Sequence, residues 1–485
     1  MIDWRLVLLT FALFFIHTIA VKLLPISVST IIFLIENIVL VYTVIRRRLD
    51  WFLYVSTIIL SVTYDIPSFV DESLTYLPSL ASLPFVGGYF YILLVVSFIP
   101  KILNIQKWKN IIRDSPWSLL AKFTIYFFIS GILMGIATML IEDNAFPFRI
   151  VMWGRQLTGI GMFSIFLAYY IYESYCNPKF QGNIKVILFS SLVGLIYSSL
   201  LGVLLGFSGS YGEGVAILAP LAFFYSTTIF LFLFYKEYRS IFKLLLFTLS
   251  AIAFYMQFTY SNVLGGKSWL VIIIIGLYIM YVLYKKNRAI FTISCVSIFL
   301  LILPIIMGYA NKQKSEESNS SRKMVQVVML LSIISDPDLY DVIPSSPKIR
   351  IEEFFNTTEE YIRHPYYAIL GKGFGGGHRD YRNAYDSNES GQFTIEQFNN
   401  EYFVFTHETI NEISLHSGLI GLLMFLLVLI KAIKYSVCSP WMIIGGIWFF
   451  FYWGYSLSLM SIGLPALIIG FGSIKEKSQY SNKQI

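Results

Sequence analysis

The sequence predicts an all-α polytopic membrane protein with about 14 transmembrane helices and one large, mostly helical loop before the last three. Three observations carry this. Of 485 residues, 56% are hydrophobic and only 13% are charged, about half the ~25% charge of an ordinary soluble domain. Aromatic residues reach 17%, with 42 Phe, 33 Tyr and 9 Trp. A soluble chain this apolar has too few polar residues to cover its surface, whereas a bilayer is a matching solvent. Soluble enzymes and nucleic-acid binders are excluded on that ground. Finally, the apolar residues come in blocks of roughly 15–25 rather than in period-two alternation, which selects helices over outer-membrane strands.

Windows of about 20 residues give spans near 6–24, 26–45, 51–69, 79–100, 117–141, 150–172, 184–207, 215–235, 241–260, 269–284, 289–309, 413–430, 441–457 and 460–474. The short last window is a full span or one arm of a re-entrant hairpin. The N-terminus enters an apolar run with no small-residue cleavage site behind it, so it is expected to be a retained span rather than a signal peptide. The expected organisation is a bundle of about 11 spans over 1–309, a loop over 310–412, C-terminal helices over 413–474 and a tail over 475–485.

Charge sets the expected orientation. Of 36 basic and 29 acidic residues, 310–412 carries 10 and 16, leaving 26 and 13 for the rest. Arg46-Arg47-Arg48, Lys101 to Arg113, Lys179/Lys185, Lys236/Arg239, Lys285-Lys286-Arg288, Lys431/Lys434 and Lys475/Lys477 fall in alternate connections. The positive-inside rule then makes these connections and both termini cytoplasmic and puts the long loop outside. Cys176, Cys295 and Cys438 lie in or beside apolar segments, so no disulfide framework or cysteine-based zinc site is expected.

The long loop holds His364, His378 and His407, with His416 just beyond it. Segments 321–335 and 348–363 (KIRIEEFFNTTEEYIR) read as amphipathic helices, GKGFGGG at 371–377 as a flexible turn, and 381–400 as a polar stretch. Loops of this length are usually functional. The histidine spacings fit no zinc motif, and the glycine run lacks the context of a nucleotide loop. His364, His378 and Arg379 read as solvated, and Tyr366, Tyr367, Tyr381 and Tyr385 as candidates for stacking on a sugar.

Cations on the outer side run against the charge rule. Lys22 is explained by snorkelling and Arg149 by anchoring at a span end. Arg155 lies about five residues inside its window, too deep to snorkel; it marks a substrate path or forms an ion pair with a residue such as Glu36 or Asp65. Lys267 follows a glycine pair at a span start, either near exposed amide groups that suit an anion or as an interfacial anchor. A lipid-linked phosphate or pyrophosphate suits such a set.

The most specific pattern is FTHETINEISLHSGLIGLL, with His407 followed eleven and fourteen residues later by Gly418 and Gly421. Upstream lie Arg350 and then RHPYYAILGKGFGGG, with Pro365, Gly371, Gly373 and Gly375. In this order the pattern resembles the O-antigen ligase/polymerase superfamily, which includes the Wzy-like polysaccharide polymerases. The resemblance covers roughly 255–430. Two departures stand out: Glu408 replaces the usual Asn after the His, and Gly266-Lys267-Ser268 replaces the usual Ser-Arg-Gly.

The resemblance implies a GT-C-like fold and glycosyl transfer from an undecaprenyl-pyrophosphate-linked oligosaccharide, serving as donor and acceptor, at the extracytoplasmic face. It implies membrane lipids, a chain-length regulator and a flippase as partners, and no cofactor, metal or nucleic acid. His407 is the expected base; Arg350, Arg155 and Lys267 are expected to hold the pyrophosphate. Polymerase, ligase and flippase remain three readings at this point.

Overall fold

The computed structural model describes residues 3–23, 26–62, 84–142, 146–204, 345–385, 393–436, 439, 441–453 and 462–481, together with Leu244 and Thr248. Apart from Leu244 and Thr248, four of the expected spans, between 215 and 309, lie outside the described residues, as do the segment 321–335 and Lys267. Among the described residues the regular structure is helical and no strand forms.

The N-terminal helices are α1 (Trp4–Leu23), α2 (Ile26–Ile45), α3 (Leu49–Val62), α4 (Pro84–Ile102), α5 (Ile105–Asp114), α6 (Ser118–Ile141), α7 (Phe146–Thr158), α8 (Ile160–Cys176) and α9 (Pro178–Leu204). After the long gap come α10 (Ser345–Arg363), α11 (Pro365–Leu370), α12 (Ile395–Asn399), α13 (Thr409–Tyr435), α14 (Trp441–Tyr452) and α15 (Gly463–Ser481). Three stretches are long and apolar enough to cross a membrane: 118–141, 146–176 and 409–435. Several shorter apolar helices accompany them.

The basic stretch after α4 is not a simple connection. The chain bends by 83° into α5, a short amphipathic helix opened by Asn104, whose side chain accepts from Lys107 N–H. Lys101 belongs to α4 and pairs with Glu173 of α8. Glu36, one proposed partner for Arg155, instead meets His17 at 2.5 Å.

The core is aromatic. Trp453 lies among Phe123, Phe127, Phe163 and Phe449, with ring centroids 5.1–5.8 Å away. Small residues bring helices close: Gly445 faces Leu467, and Gly463 faces Trp448, as expected where packing rather than solvent exclusion drives association.

The glycine run is the main departure from expectation. Residues 371–378 are all buried, forming a wedge between α6, α7 and α13 rather than a flexible turn. Phe374 N–H donates to Gly131 O at 2.7 Å. Gly373 has φ +71°, and a Cβ there would sit 1.9 Å from Gly135 N, so only glycine fits. Gly131 lies about 15 Å along α6 from its Ile141 end at 1.5 Å per residue, so the wedge reaches towards the helix midpoint. Opposite it, α13 breaks at Gly418 (φ 62°, ψ −165°). Lys372 N–H and Gly373 N–H donate to Leu415 O (2.7 Å) and His416 O (3.1 Å). Irregular backbone at this depth is tolerated because protein groups satisfy it.

Candidate functional site

The helix expected at 348–363 forms as α10, but inside out. Its buried stripe is polar: Glu352, Glu353, Asn356, Thr357 and Glu360 are at most 3% exposed. Four have partners. Glu352 meets Arg382 at 2.8 Å; Asn356 donates to Asp380 at 3.2 Å and accepts from Tyr381 N–H at 3.0 Å. Glu360 accepts from Tyr381 OH at 2.8 Å and from Lys372 at 3.2 Å. Glu353 turns to His407.

Around His407 three elements converge. Its Nδ1 contacts Glu353 Oε1, and its backbone N–H donates to Glu353 Oε2 at 2.9 Å. Asn411, on the first turn of α13, donates to the same Glu353 oxygen at 3.4 Å and to Arg350 O at 3.1 Å. Glu353 is fully buried, while the His407 side chain is 26% exposed. Phe393 stands edge-on to the imidazole at 5.2 Å. A buried carboxylate held by several donors fixes the ring's orientation and selects the tautomer with the proton on Nδ1, so that Nε2 carries the basic lone pair. Sequence reasoning misses Glu353; its signal is the i+3 spacing from Arg350, which places both on one helix face.

Arg350 therefore lies one turn from the His407 anchor. Its Nε sits 2.9 Å from Glu408 Oε1, so the residue that departs from the usual Asn is the one opposing Arg350. Arg155 is elsewhere in character: it is 53% exposed and 3.6 Å from Glu396 of α12, itself 61% exposed. Arg155 lies within the apolar 146–176 stretch and pairs with Glu396 rather than with Glu36, while Asp65 falls outside the described residues. The neighbouring Gln156 is the buried one. It accepts from Gly375 N–H at 2.6 Å, lies 2.9 Å from His416 Nε2 and donates to Val404 O at 3.1 Å, tying α7, the wedge, α13 and the loop together.

Beneath the site lies a buried ionic cluster. Lys372 is 1% exposed and reaches Glu142 (3.0 Å) and Glu360 (3.2 Å). Glu142 also meets Arg149 at 3.2 Å. Arg149 is fully buried against the Tyr402 ring, so it is a structural cation rather than an interfacial anchor. Burial alone raises the Glu142 carboxyl, but Lys372, Tyr367 and Arg149 together bring it below its ordinary value.

Other loop expectations are also corrected. His378 is fully buried, stacked on Phe403 and 2.9 Å from Tyr385 OH, because the polar stretch folds over an aromatic cluster of Tyr385, Phe393, Phe398 and Phe403. Tyr367 is likewise buried and Tyr385 packs within that cluster, which removes both as sugar platforms. Tyr366 stays 46% exposed. Among the described residues no group of three or more His, Cys, Asp or Glu is arranged to hold a metal.

No family model, curated protein or solved structure matches the chain.

Burial above all, with the nearby charges of Lys372 and His407, pushes His378 down to about 3 from 6.5. A depressed histidine means the unfolded chain binds the extra proton first. The contribution of His378 is therefore complete above pH ~6.5 and is lost progressively below it, down to about pH 3. Thermal unfolding of purified protein in detergent between pH 4 and 7 should show this loss as a slope against pH, and His378→Phe should flatten it. An unchanged slope in that variant would remove His378 as its source.

Proposed function

We propose that the chain is a glycosyltransferase of about 14 spans in a bacterial inner membrane, GT-C-like, with both termini cytoplasmic. It polymerises undecaprenyl-pyrophosphate-linked oligosaccharide repeat units for O-antigen, capsule or exopolysaccharide on the extracytoplasmic face. The observation that carries the reading is the convergence of His407, Glu353 and Arg350 on one partly exposed spot. In this mechanism His407 Nε2 takes the proton of an acceptor sugar hydroxyl as its oxygen bonds to the anomeric carbon of the donor glycan. The bond from that carbon to the pyrophosphate oxygen breaks with inversion, and lipid pyrophosphate departs.

Glu353 holds the ring and stabilises the imidazolium that forms. Arg350 exchanges Glu408 for the pyrophosphate, whose growing charge it stabilises. Arg155, exposed and loosely paired, is available to the same anion, as is Lys267 in this reading. Pyrophosphate is a good leaving group, so no acid partner is needed.

Incubating membranes that contain the chain with a single defined repeat unit should give a ladder of products. Arg350→Ala should lose more activity than Arg350→Lys, because the lysine keeps charge but not the bidentate fork; equal activities would end that role. A ligase in place of a polymerase would give one transfer product on a separate acceptor and no ladder.

The break in α13 favours a second reading, a lipid-linked oligosaccharide flippase, since interrupted helices build transporter sites. The break is, however, filled by the chain's own backbone: Leu415 O and His416 O accept from the wedge, and Ser417 O accepts from Tyr126 OH at 3.1 Å. Translocation of the lipid-linked unit by reconstituted vesicles, without transfer, would overturn the transferase reading.

A further inference from the structure

The polar buried stripe of α10 has a counterpart on its other side. Phe354 (55% exposed), Phe355 (39%) and Ile362 (68%) form an apolar outer stripe, which α11 continues with Tyr366 (46%), Ile369 (55%) and Leu370 (38%). A helix bathed in water shows the reverse arrangement, apolar inside and charged outside. The inversion here needs an apolar medium on the outer side.

We infer that α10 and α11 lie in the bilayer interface, with this outer stripe sunk among the acyl chains of the adjacent leaflet and the polar stripe turned to the site. Two further observations name lipid as the occupant. First, the stripe is continuous with the apolar flank of a membrane-crossing helix: Leu370 joins Ile129, Leu133 and Met134 of α6 in one apolar groove of about 490 Å³. Ile129 and Leu133 are themselves 49% and 60% exposed, as a lipid-facing flank is.

Second, the rim carries arginines beside aromatic rings. Arg382 lies 4.8 Å over Phe355, and Arg363 lies 4.1 Å over Tyr381. Both are about half exposed while also pairing with Glu352 and Glu359. Cations and aromatics at the edge of an apolar stripe match the headgroup level of a bilayer. The His407–Glu353 pair then sits at the depth of lipid phosphates, and a lipid-linked substrate meets it without leaving the membrane. The membrane contact itself does not depend on the transferase reading.

The test uses the full chain with Cys176, Cys295 and Cys438 replaced by serine. Phe354→Cys, Ile362→Cys and Ile369→Cys are each labelled with bimane and reconstituted in phosphatidylcholine–phosphatidylglycerol vesicles; Glu401→Cys, at an exposed polar position, is the comparison. Brominated acyl chains should quench the three stripe positions about twofold or more while aqueous iodide leaves them largely unquenched, as for a helix sunk ~5–10 Å into the interface. The Glu401→Cys label should respond to iodide. Quenching of the stripe by iodide but not by brominated lipid would place it in water and overturn the inference. Quenching by neither would show that protein covers the stripe, and would overturn the inference equally. Far-ultraviolet circular dichroism matching the parent chain qualifies each variant, and positions 355 and 366 substitute for any that fails.

Discussion

His407→Ala should reduce repeat-unit extension by about 10²–10⁴-fold, the range for loss of a positioned general base, with folded protein retained in the membrane. The structural cost is small, because the ring is partly exposed. Glu353→Gln makes the sharper companion. It keeps the volume and one acceptor oxygen for the His407 backbone but loses the charge that orients the ring and stabilises the imidazolium. Its kcat should fall by about 10–100-fold with KM for the lipid-linked donor unchanged, since the carboxylate acts through His407 rather than on the substrate. Wild-type turnover in His407→Ala would remove the proposed base. A raised KM with unchanged kcat in Glu353→Gln would make that residue a binding element instead.

The largest stability effect is expected at Lys372. Lys372→Met keeps the chain length and removes the buried cation shared by Glu360, which is enclosed, and Glu142, which is partly exposed. Breaking a buried pair by removing one partner costs about 3–5 kcal/mol, because the remaining charge is left uncompensated. The fluorescence-monitored unfolding midpoint in detergent should drop accordingly. Adding Glu360→Gln should recover part of the loss, and a double variant no more stable than Lys372→Met would show that the two side chains are not coupled. Burial alone would depress the ammonium, but Tyr402, Glu360 and Glu142 outweigh it and hold Lys372 above its ordinary value. A raised folded value means this contribution is complete at neutral pH and fades only in strong alkali. The acid sensitivity of the protein therefore belongs to His378 and the carboxylates.

The helical character and the membrane-crossing blocks are legible in composition and block length, because hydropathy over 20 residues is a local property. The amphipathic pattern of KIRIEEFFNTTEEYIR is also local, and α10 follows it from Ser345 to Arg363. Which stripe faces inward is not local. The usual rule buries Phe354 and Phe355, while the fold buries Glu353 and Glu360, since their partners lie beyond the helix, His407 at 54 residues from Glu353 and Lys372 at 12 from Glu360. The same reason hides Lys372, which reads as one residue of a glycine turn until Glu142 is brought to it. His378 reads as solvated because four aromatic residues at 385–403 are spaced without period and gather only through the isolated pairing with Phe403. Arg155 and Gln156 show the limit of span counting: a one-residue rotation on α7 decides which of the two is buried.

The wedge on α6 also sets an order of events during synthesis. Thr138 donates to Lys372 O at 2.8 Å across 234 residues of chain. At about 5–20 residues per second, the ribosome takes roughly 10–50 s to supply that partner. Throughout this interval the Gly131–Gly135 face of α6 lacks the wedge that covers it in the folded chain. Among the described elements, the packing of α6 is therefore completed only when the wedge and α13, from the last third of the chain, reach it.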